Sequence, residues 1–380
     1  MNTTAAVRLS SGLALVIGIG LLASPVRAQQ QKQAPITGDF MVRHEWNDGF
    51  FSKPDPVPAS RTRFQFRPRF EVETRTLLMG LGADVNYSRD NNLKPKDITP
   101  PLALIRDNYD SRSIRLDLAY LGVNLSSAIK ITGGRMIMPL RLTEMIWDKD
   151  LRIQGGSVVW TLHQGTTSEP TARIAGIYSR GSHVFVDSAD PKGSSLGEGV
   201  TLKGGSLDLG FGSSKRVGVV GSYLVFNKLD HLERMIRRQN TRVDGLLTRE
   251  YEVIDVTLRF RTDSPFPIQV ALDGARNRKA QDQKDGFWAA LVLGSLQDMR
   301  FRGEYTYAKV DRDVTVAAYA GDDFFWGTGW LGHRAEIAFA QSPKSSFHVI
   351  GQIQRFKDSS NVEERTNWMK RLRVEARRTF

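Results

Sequence analysis

The last ten residues, "RLRVEARRTF" at 371–380, alternate between apolar and charged side chains. In an extended chain Leu372, Val374 and Ala376 fall on one face, and Phe380 ends that face. The opposite face carries the charged residues Arg371, Arg373, Glu375 and Arg377. Successive side chains of a strand point to opposite sides of the sheet. The segment therefore predicts a terminal strand with one apolar and one charged wall, held in place on both sides.

The same two-residue period recurs along most of the chain. In "RTRFQFRPRFEVE" at 61–73, the phenylalanines share one face and the arginines take the other. The stretches "YEVIDVTLRFR" at 251–261 and "MRFRGEYTY" at 299–307 repeat this arrangement. Alternating strands of about ten residues, separated by turn residues, are typical of a transmembrane β-barrel.

A soluble β-sandwich also alternates, so it is the competing fold. Three features favour the barrel. The polar faces carry closely spaced arginines, and some strands exceed the usual five or six residues. Aromatic residues such as Tyr87, Tyr120 and Trp368 lie near strand ends, where interface girdles are found. We therefore predict one all-β domain over residues 29–380, folded as an antiparallel transmembrane barrel.

The lengths of the connections predict the number of strands. Short links, as at 74–76 and 343–345, alternate with long polar stretches, as at 89–111 and 228–249. Outer-membrane barrels have short periplasmic turns and longer outer loops. With a first strand near 37–45, the count is sixteen. The last strand then pairs with the first and leaves no free edge, which accounts for the two-faced carboxyl terminus.

Residues 1–28 have the features of a secretory signal peptide. Arg8 precedes a twelve-residue apolar run, and a small-residue cleavage pattern ends at Ala28. The run is too short to span a bilayer as a helix. Its removal takes away Arg8 and Arg27 and no acid, so the formal charge falls from +12 to +10. Export argues against a nucleic-acid partner, and the absence of cysteine excludes disulfides and thiolate zinc sites.

With these features in place, the sequence resembles the Gram-negative outer-membrane porins. The segments "FQFRPRFEVE", "LDLAYLGV", "GGRMIMPL", "MIWDKDLRIQGG" and "FFWGTGWLGHRAEIAF" carry the likeness, which covers most of residues 61–380. The terminal strand, with Leu372, Val374 and Phe380, is similar to the signal that such barrels present to the barrel-assembly machinery. The resemblance implies a passive diffusion channel surrounded by outer-membrane lipid, often a homotrimer. It does not identify the solute.

Arginines dominate the faces that the alternation turns inward. The predicted pore-lining residues are Arg63, Arg67, Arg69, Arg115, Arg259, Arg261, Arg300, Arg302, Arg371, Arg373 and Arg377. Many of them can pair with acids across strands and only stabilise the wall. As a set, an excess of fixed positive charge in a narrow pore raises the local concentration of anions. We therefore predict passage of small hydrophilic solutes with a preference for anions.

The connection "PLRLTEMIWDKDL" at 139–151 is unusually apolar for an outer loop. Leu142, Met145 and Ile146 have the spacing of a short helical turn. By the strand count it is the third outer loop, which enters and narrows the pore of general porins. Its acids Glu144, Asp148 and Asp150 would then face the arginines of the wall. The alternative is a loop packed on a neighbouring loop or subunit.

The sequence contains no recognisable catalytic or metal-binding motif. None of the six histidines has a metal-ligand spacing, and GxSxG does not occur. Ser157 and His163 lie six residues apart on one strand, too far for a hydrogen bond. We expect no enzyme activity, cofactor or metal. The competing functions are an adhesin or structural anchor with a closed pore and, more remotely, a barrel lipase with a lipid-facing Ser–His pair.

Overall fold

The computed structural model describes residues 36–48, 60–90, 113–164, 171–180, 200–212, 216–229, 240–243, 246–247, 250–262, 266–321, 327–357 and 365–380. The predicted signal peptide, residues 1–28, lies outside these ranges. Within them, no helix is long and apolar enough to cross a membrane.

Sixteen antiparallel strands of the described chain close into one barrel. In chain order they are β1 (Ile36–Asp48), β2 (Ser60–Glu73), β3 (Leu77–Asp90), β4 (Ser113–Asn124), β5 (Ile129–Ile137), β6 (Arg152–Gln164), β7 (Thr171–Arg180), β8 (Thr201–Phe211), β9 (Val217–Asn227), β10 (Tyr251–Thr262), β11 (Ile268–Asn277), β12 (Asp285–Ser295), β13 (Phe301–Val310), β14 (Trp330–Ser342), β15 (Ser345–Phe356) and β16 (Met369–Thr379). A separate pair, Arg242–Val243 with Leu246–Leu247, lies between β9 and β10. The predicted barrel and its strand count are confirmed.

The two ends of the chain close the barrel. β16 pairs with β1 from Asp39↔Thr379 to Asp48↔Lys370. Beyond this ladder, the backbone N–H of Phe380 donates to the carbonyl of Gly38 at 3.1 Å. The Phe380 ring stacks on Phe66 of β2, with ring centroids 5.7 Å apart. The carboxyl terminus is therefore fixed by a strand partner and by an aromatic contact.

The apolar side chains of the strands are exposed and the polar ones are buried, which is the reverse of a soluble sandwich. On the outward face, Leu258 is 50% exposed and Leu372 is 45% exposed. On the inward face, Arg63 is 1% exposed, and Asp255 and Glu375 are 0% exposed. A sandwich would bury its apolar faces against each other. An exposed apolar band around a polar interior is the arrangement of a barrel that spans a membrane.

Candidate pore and its inner loops

The connection between β5 and β6, residues 138–151, lies inside the barrel; we call it the inner loop. The guanidinium of Arg67 on β2 donates to Asp150 at 2.6 Å. Thr143 donates to the carboxylate of Asp273 on β11. Arg334 on β14 lies 3.8 Å from a carboxylate oxygen of Glu144. Because β2, β11 and β14 are spread around the closed barrel, a loop that contacts all three crosses the lumen.

A helical turn shapes the middle of the inner loop. The backbone N–H groups of Ile146 and Trp147 donate to the carbonyl of Thr143 at 3.0 and 3.1 Å. This turn buries Met145, Ile146 and Trp147, which are each at most 4% exposed. The spacing of apolar residues in the sequence therefore reflects burial within the barrel.

A second segment enters the lumen from the connection between β13 and β14; we call residues 311–321 and 327–329 the second inner segment. The N–H of Asp148 donates to the carbonyl of Tyr319, and the N–H of Gly321 donates to that of Glu144, both at 2.7 Å. The rings of Trp147 and Tyr319 stack at 5.4 Å. The two insertions are therefore packed together as one unit. The alternation of the strands does not predict this contact, although the apolar run "VTVAAYA" at 314–320 is its signal.

Buried hydrogen bonds fix the second inner segment to the connection between β9 and β10 and to the first residue of β10. Asp313, which is 0% exposed, accepts from the N–H of Thr241 at 2.9 Å and from the Tyr251 hydroxyl at 2.8 Å. The side-chain amide of Asn240 donates to the carbonyl of Thr315 at 2.9 Å. These bonds satisfy polar groups that would otherwise be buried without partners.

The insertions share an apolar core with the inner face of the barrel. Inward-facing members of this core include Ile153, Ile177, Leu202, Leu224, Val253, Trp288, Val310, Trp330, Phe356 and Met369. These residues come from β6 to β10 and from β12 to β16. Among the described residues, β1, β2 and β3 contribute nothing to this core. The lumen therefore has an apolar, filled side and a polar side next to β1–β3.

The polar side is dominated by guanidinium groups from β16, β1 and β2. We call this group the arginine wall; it consists of Arg43, Arg61, Arg63, Arg371, Arg373 and Arg377 around Glu45 and Glu375. Glu45 lies 2.9 Å from Arg61 Nε, 3.7 Å from Arg63 and 3.3 Å from Arg373. Glu375 lies 2.5 Å from Arg43 Nε and 2.7 Å from Arg377 Nε. Each carboxylate is thus shared by two or more arginines, and the group carries six positive and two negative charges.

Other predicted pore-lining arginines contact acids. Arg67 bridges Asp39 at 3.0 Å and Asp150 at 2.6 Å. The remaining contacts are Arg69 with Asp117 at 3.3 Å, Arg259 with Asp208 at 3.8 Å, and Arg302 with Glu304 and, at 3.5 Å, with Glu336. These pairs fit the alternative reading, in which a wall arginine stabilises its neighbours.

Three of the predicted arginines are placed differently from the rest. The expectation that Arg300 lies within a strand is wrong. The N–H of Met299 donates to the carbonyl of Ser295 at 2.9 Å, so the chain is still turning at Arg300, whose φ is 56°. Arg261 is exposed, one residue before the end of β10. Arg115 pairs with Asp84 in the backbone ladder, and its side chain lies outside the described part.

The three acids of the inner loop have separate partners. Asp150 accepts from Arg67, as described above. Glu144 contacts Lys149 at 2.8 Å as well as Arg334. Asp148 is 4% exposed and accepts from the backbone N–H of Asp150 at 2.7 Å. The acids therefore bind the loop to the wall and to itself.

A Ser–His–Glu chain in the lumen also escaped the sequence analysis. The hydroxyl of Ser346 lies 2.8 Å from Nε2 of His348, whose Nδ1 lies 2.8 Å from Glu336. Glu336 also accepts from Arg334 at 2.8 Å. Hydrolases add backbone or side-chain donors that stabilise an oxyanion. Here Ser346 lies inside a strand that is paired on both sides, to Ala340 and to Arg377. Two polar residues at i and i+2 of one strand are the signal that was overlooked.

Among the described residues, no group of three or more His, Cys, Asp or Glu side chains could hold a metal ion.

The comparisons with known proteins concern the fold. No protein-family model matches the sequence, and no curated protein matches it significantly. A solved structure described by the words "Asymmetric conductivity of engineered proteins" is 9% identical, with a TM-score of 0.51. An engineered variant of the porin of Rhodopseudomonas blastica is also 9% identical, with a TM-score of 0.50. Each comparison covers 91% of this chain and 99% of the other. The chain therefore has the fold of a bacterial porin, which confirms the resemblance at the level of the fold.

Proposed function

We propose that the protein is a porin of a Gram-negative outer membrane, a passive diffusion channel for small hydrophilic solutes with a preference for anions. The arginine wall is the observation that carries this proposal. Six guanidiniums and two carboxylates lie on the side of the lumen that the apolar core does not reach. Fixed positive charge in a low-dielectric channel concentrates anions and repels cations.

The solute path of this proposal runs between the arginine wall and the inner loop. A cavity of about 550 Å³ is lined by Arg43, Arg67 and Arg377 and by Lys149 and Asp150 of the inner loop. Asp150 binds Arg67 and Glu144 contacts Arg334, neither of which belongs to the arginine wall, so the loop acids offset little of its charge. The inner loop narrows the path, and the wall selects the charge of the solute.

Export and assembly complete the proposal. Residues 1–28 direct export, and the barrel-assembly machinery recognises the terminal strand through its apolar face and Phe380. On that face Leu372 is 45% exposed and Phe380 is 40% exposed, so both are accessible on the outside of the barrel. The mature barrel functions in outer-membrane lipid as a homotrimer. Transport of this kind requires no chemical step, so the protein is not an enzyme.

A specific observation favours the second candidate, an adhesin or structural anchor with a closed pore. The inner loop and the second inner segment fill one side of the lumen with an apolar core. An anchor of this kind also requires the polar side of the lumen to be filled, so that no water path remains. The barrel lipase loses support, because Ser346 and His348 are on the lumen side, whereas lipid is the substrate of such an enzyme.

Planar-bilayer recording of the purified protein tests the proposal. We expect discrete conductance steps and, across a salt gradient, a reversal potential of the sign that an anion-selective channel gives. Conductance steps with a reversal potential of the opposite sign would overturn the anion preference and still support a channel. A correctly folded barrel that gives no steps would favour the anchor.

A further inference from the structure

The outward surface of the barrel carries a groove of about 480 Å³, which we call the outer groove. Its floor is Ala335 of β14 and Gly351 of β15, which are ladder partners. The same row continues to Tyr305 on one side and to Leu372 and Trp46 on the other. A Cβ at Gly351 would meet no atom within 4 Å. The groove exists because two small residues interrupt a row of large apolar ones.

Aromatic side chains with polar tips form one wall of the groove. Nδ1 of His333 lies 2.7 Å from the Tyr305 hydroxyl. The His333 ring is 5.1 Å from the ring of Tyr307 and 6.0 Å from that of Trp368. Side chains of this kind occupy the level of the lipid headgroups in membrane proteins. The groove thus begins in the apolar band and ends at the interface.

Lys370 lines that end of the groove, and Lys309 and Arg355 lie one row beyond it, all on the outward faces of their strands. Lys309 of β13 and Arg355 of β15 are both ladder partners of Leu331. Their backbones are therefore two strand spacings apart, or about 10 Å. The guanidinium of Arg355 lies over the Trp368 ring, 5.1 Å from its centroid. Lys370 of β16 follows in the neighbouring row, as the ladder partner of Ile353.

Among the described residues, Asp285 and Asp311, near Lys309, pair with Arg276 and Lys357, and the third nearby acid is Asp48. It lies 3.9 Å from the ammonium of Lys370, and the two side chains are 79% and 64% exposed. An ion pair this exposed is weak and leaves the lysine able to bind another anion. Counted over the described residues, the end of the groove therefore carries net positive charge.

We propose that the outer groove binds a phosphorylated anionic lipid of the surrounding leaflet. One acyl chain lies over Ala335 and Gly351, and a phosphate is bound by Lys309, Arg355 and Lys370. Arginine suits phosphate oxygens through its paired N–H groups, and lysine suits them as a point charge. This inference rests on the proposed function, which places the long connections, and with them these cations, at the cell surface.

The positive charge at the end of the groove favours a lipid over a second copy of the chain as the bound partner. A protein partner would have to bring acids against three cations or remove their water without compensation. A phosphorylated lipid supplies the opposite charge and an apolar chain in the same molecule. Basic sites at the headgroup level of membrane proteins favour anionic lipids for this reason.

Native mass spectrometry of the delipidated barrel in detergent tests the proposal, with lipid A as the anionic probe and phosphatidylcholine as the zwitterionic one. We expect tight binding of one lipid A and weak binding of phosphatidylcholine. Combined Lys309→Gln, Arg355→Gln and Lys370→Gln should weaken lipid A binding about tenfold or more. Gly351→Phe, which fills the groove and leaves the cations in place, should also weaken it.

Lys203→Gln is the matched control. Lys203 lies on the outward surface, at the end of β8 that leads to a long connection. Its ammonium is 5.7 Å from the Tyr178 ring, so this site combines a cation with an aromatic ring but lies outside the groove. Equal binding of lipid A to the control and the triple variant would overturn the proposal. An oligomer of the delipidated barrel that Gly351→Phe dissociates would also overturn it, in favour of a subunit contact. Mass spectrometry measures lipid binding independently of ion conduction, so this test remains valid even if the protein forms no conducting channel.

Discussion

The arginine wall predicts that two neighbouring substitutions change ion selectivity in opposite directions. Arg377→Gln removes a positive charge at the edge of the cavity, and Glu375→Gln removes a negative charge that Arg43 and Arg377 share. The excess of four positive charges in the wall becomes three in the first variant and five in the second. Arg377→Gln should therefore lower anion over cation permeability, and Glu375→Gln should raise it.

Coulomb's law gives the size of the change. The interaction energy between a unit charge and an ion about 8 Å away in water is about 0.5 kcal/mol. An anion and a cation are affected with opposite sign, so one charge changes their ratio by about 1 kcal/mol, or roughly fivefold, in dilute salt. About 8 Å is also the Debye length at physiological ionic strength, where the effect falls to roughly twofold.

The assay is the reversal potential of single channels in a planar bilayer, measured in dilute and in physiological salt. Lys203→Gln removes a charge from the outward surface and is expected to leave the potential unchanged. The reasoning is refuted if both inward variants shift the potential in one direction. It is equally refuted if the shift does not decrease as salt is added.

Three further outcomes follow from single contacts. Thr143→Val removes the donor to the buried carboxylate of Asp273, at a cost of about 1–3 kcal/mol. This variant should increase the current noise of an intact barrel, whereas Thr143→Ser should not. Equal noise in both variants would contradict this. Deletion of Phe380, or Leu372→Asp, should lower the amount of folded barrel in the outer membrane, as read from heat-modifiable mobility. Phe380→Tyr should keep the amount of the native chain. Unchanged amounts in the first two variants would argue against the assembly signal. A fluorophosphonate probe should leave Ser346 unmodified, because Ser346 lies inside a strand that is paired on both sides. A label that Ser346→Ala abolishes would reveal an enzyme.

The barrel could be predicted because its strands obey one local rule over most of their length. The alternation of Phe64, Phe66 and Phe70 with arginines fixes which face of β2 meets lipid, and a one-residue shift would reverse every side chain. The position of Arg300 could not be predicted in this way. An arginine in a turn has the same place in the alternation as one in a strand. The positive φ of Arg300 and the hydrogen bond of Met299 distinguish them, and neither can be read from the alternation.

The contacts inside the lumen depend on residues far apart in sequence. The pairing of Asp150 with Arg67 joins residues 83 positions apart, and the Trp147–Tyr319 stack joins two different connections. Local periodicity carries no information about such pairs. The sequence indicated an apolar loop at 139–151, and it could not indicate which strands hold that loop.

The apolar core inside the barrel bears on how solutes pass. Trp288 and Trp330 face the lumen and are 6% and 1% exposed because the inner loop and the second inner segment cover them. If the insertions left the lumen, these rings and Trp147 would meet water, at a cost of about 1.5–3 kcal/mol for each large apolar side chain. The same movement would break the bonds of Asp313 and Thr143. Such an insertion is a fixed part of the wall rather than a lid. In the proposed channel, solutes therefore pass beside it along β1–β3, and selection depends on the fixed charges of the arginine wall and not on loop motion.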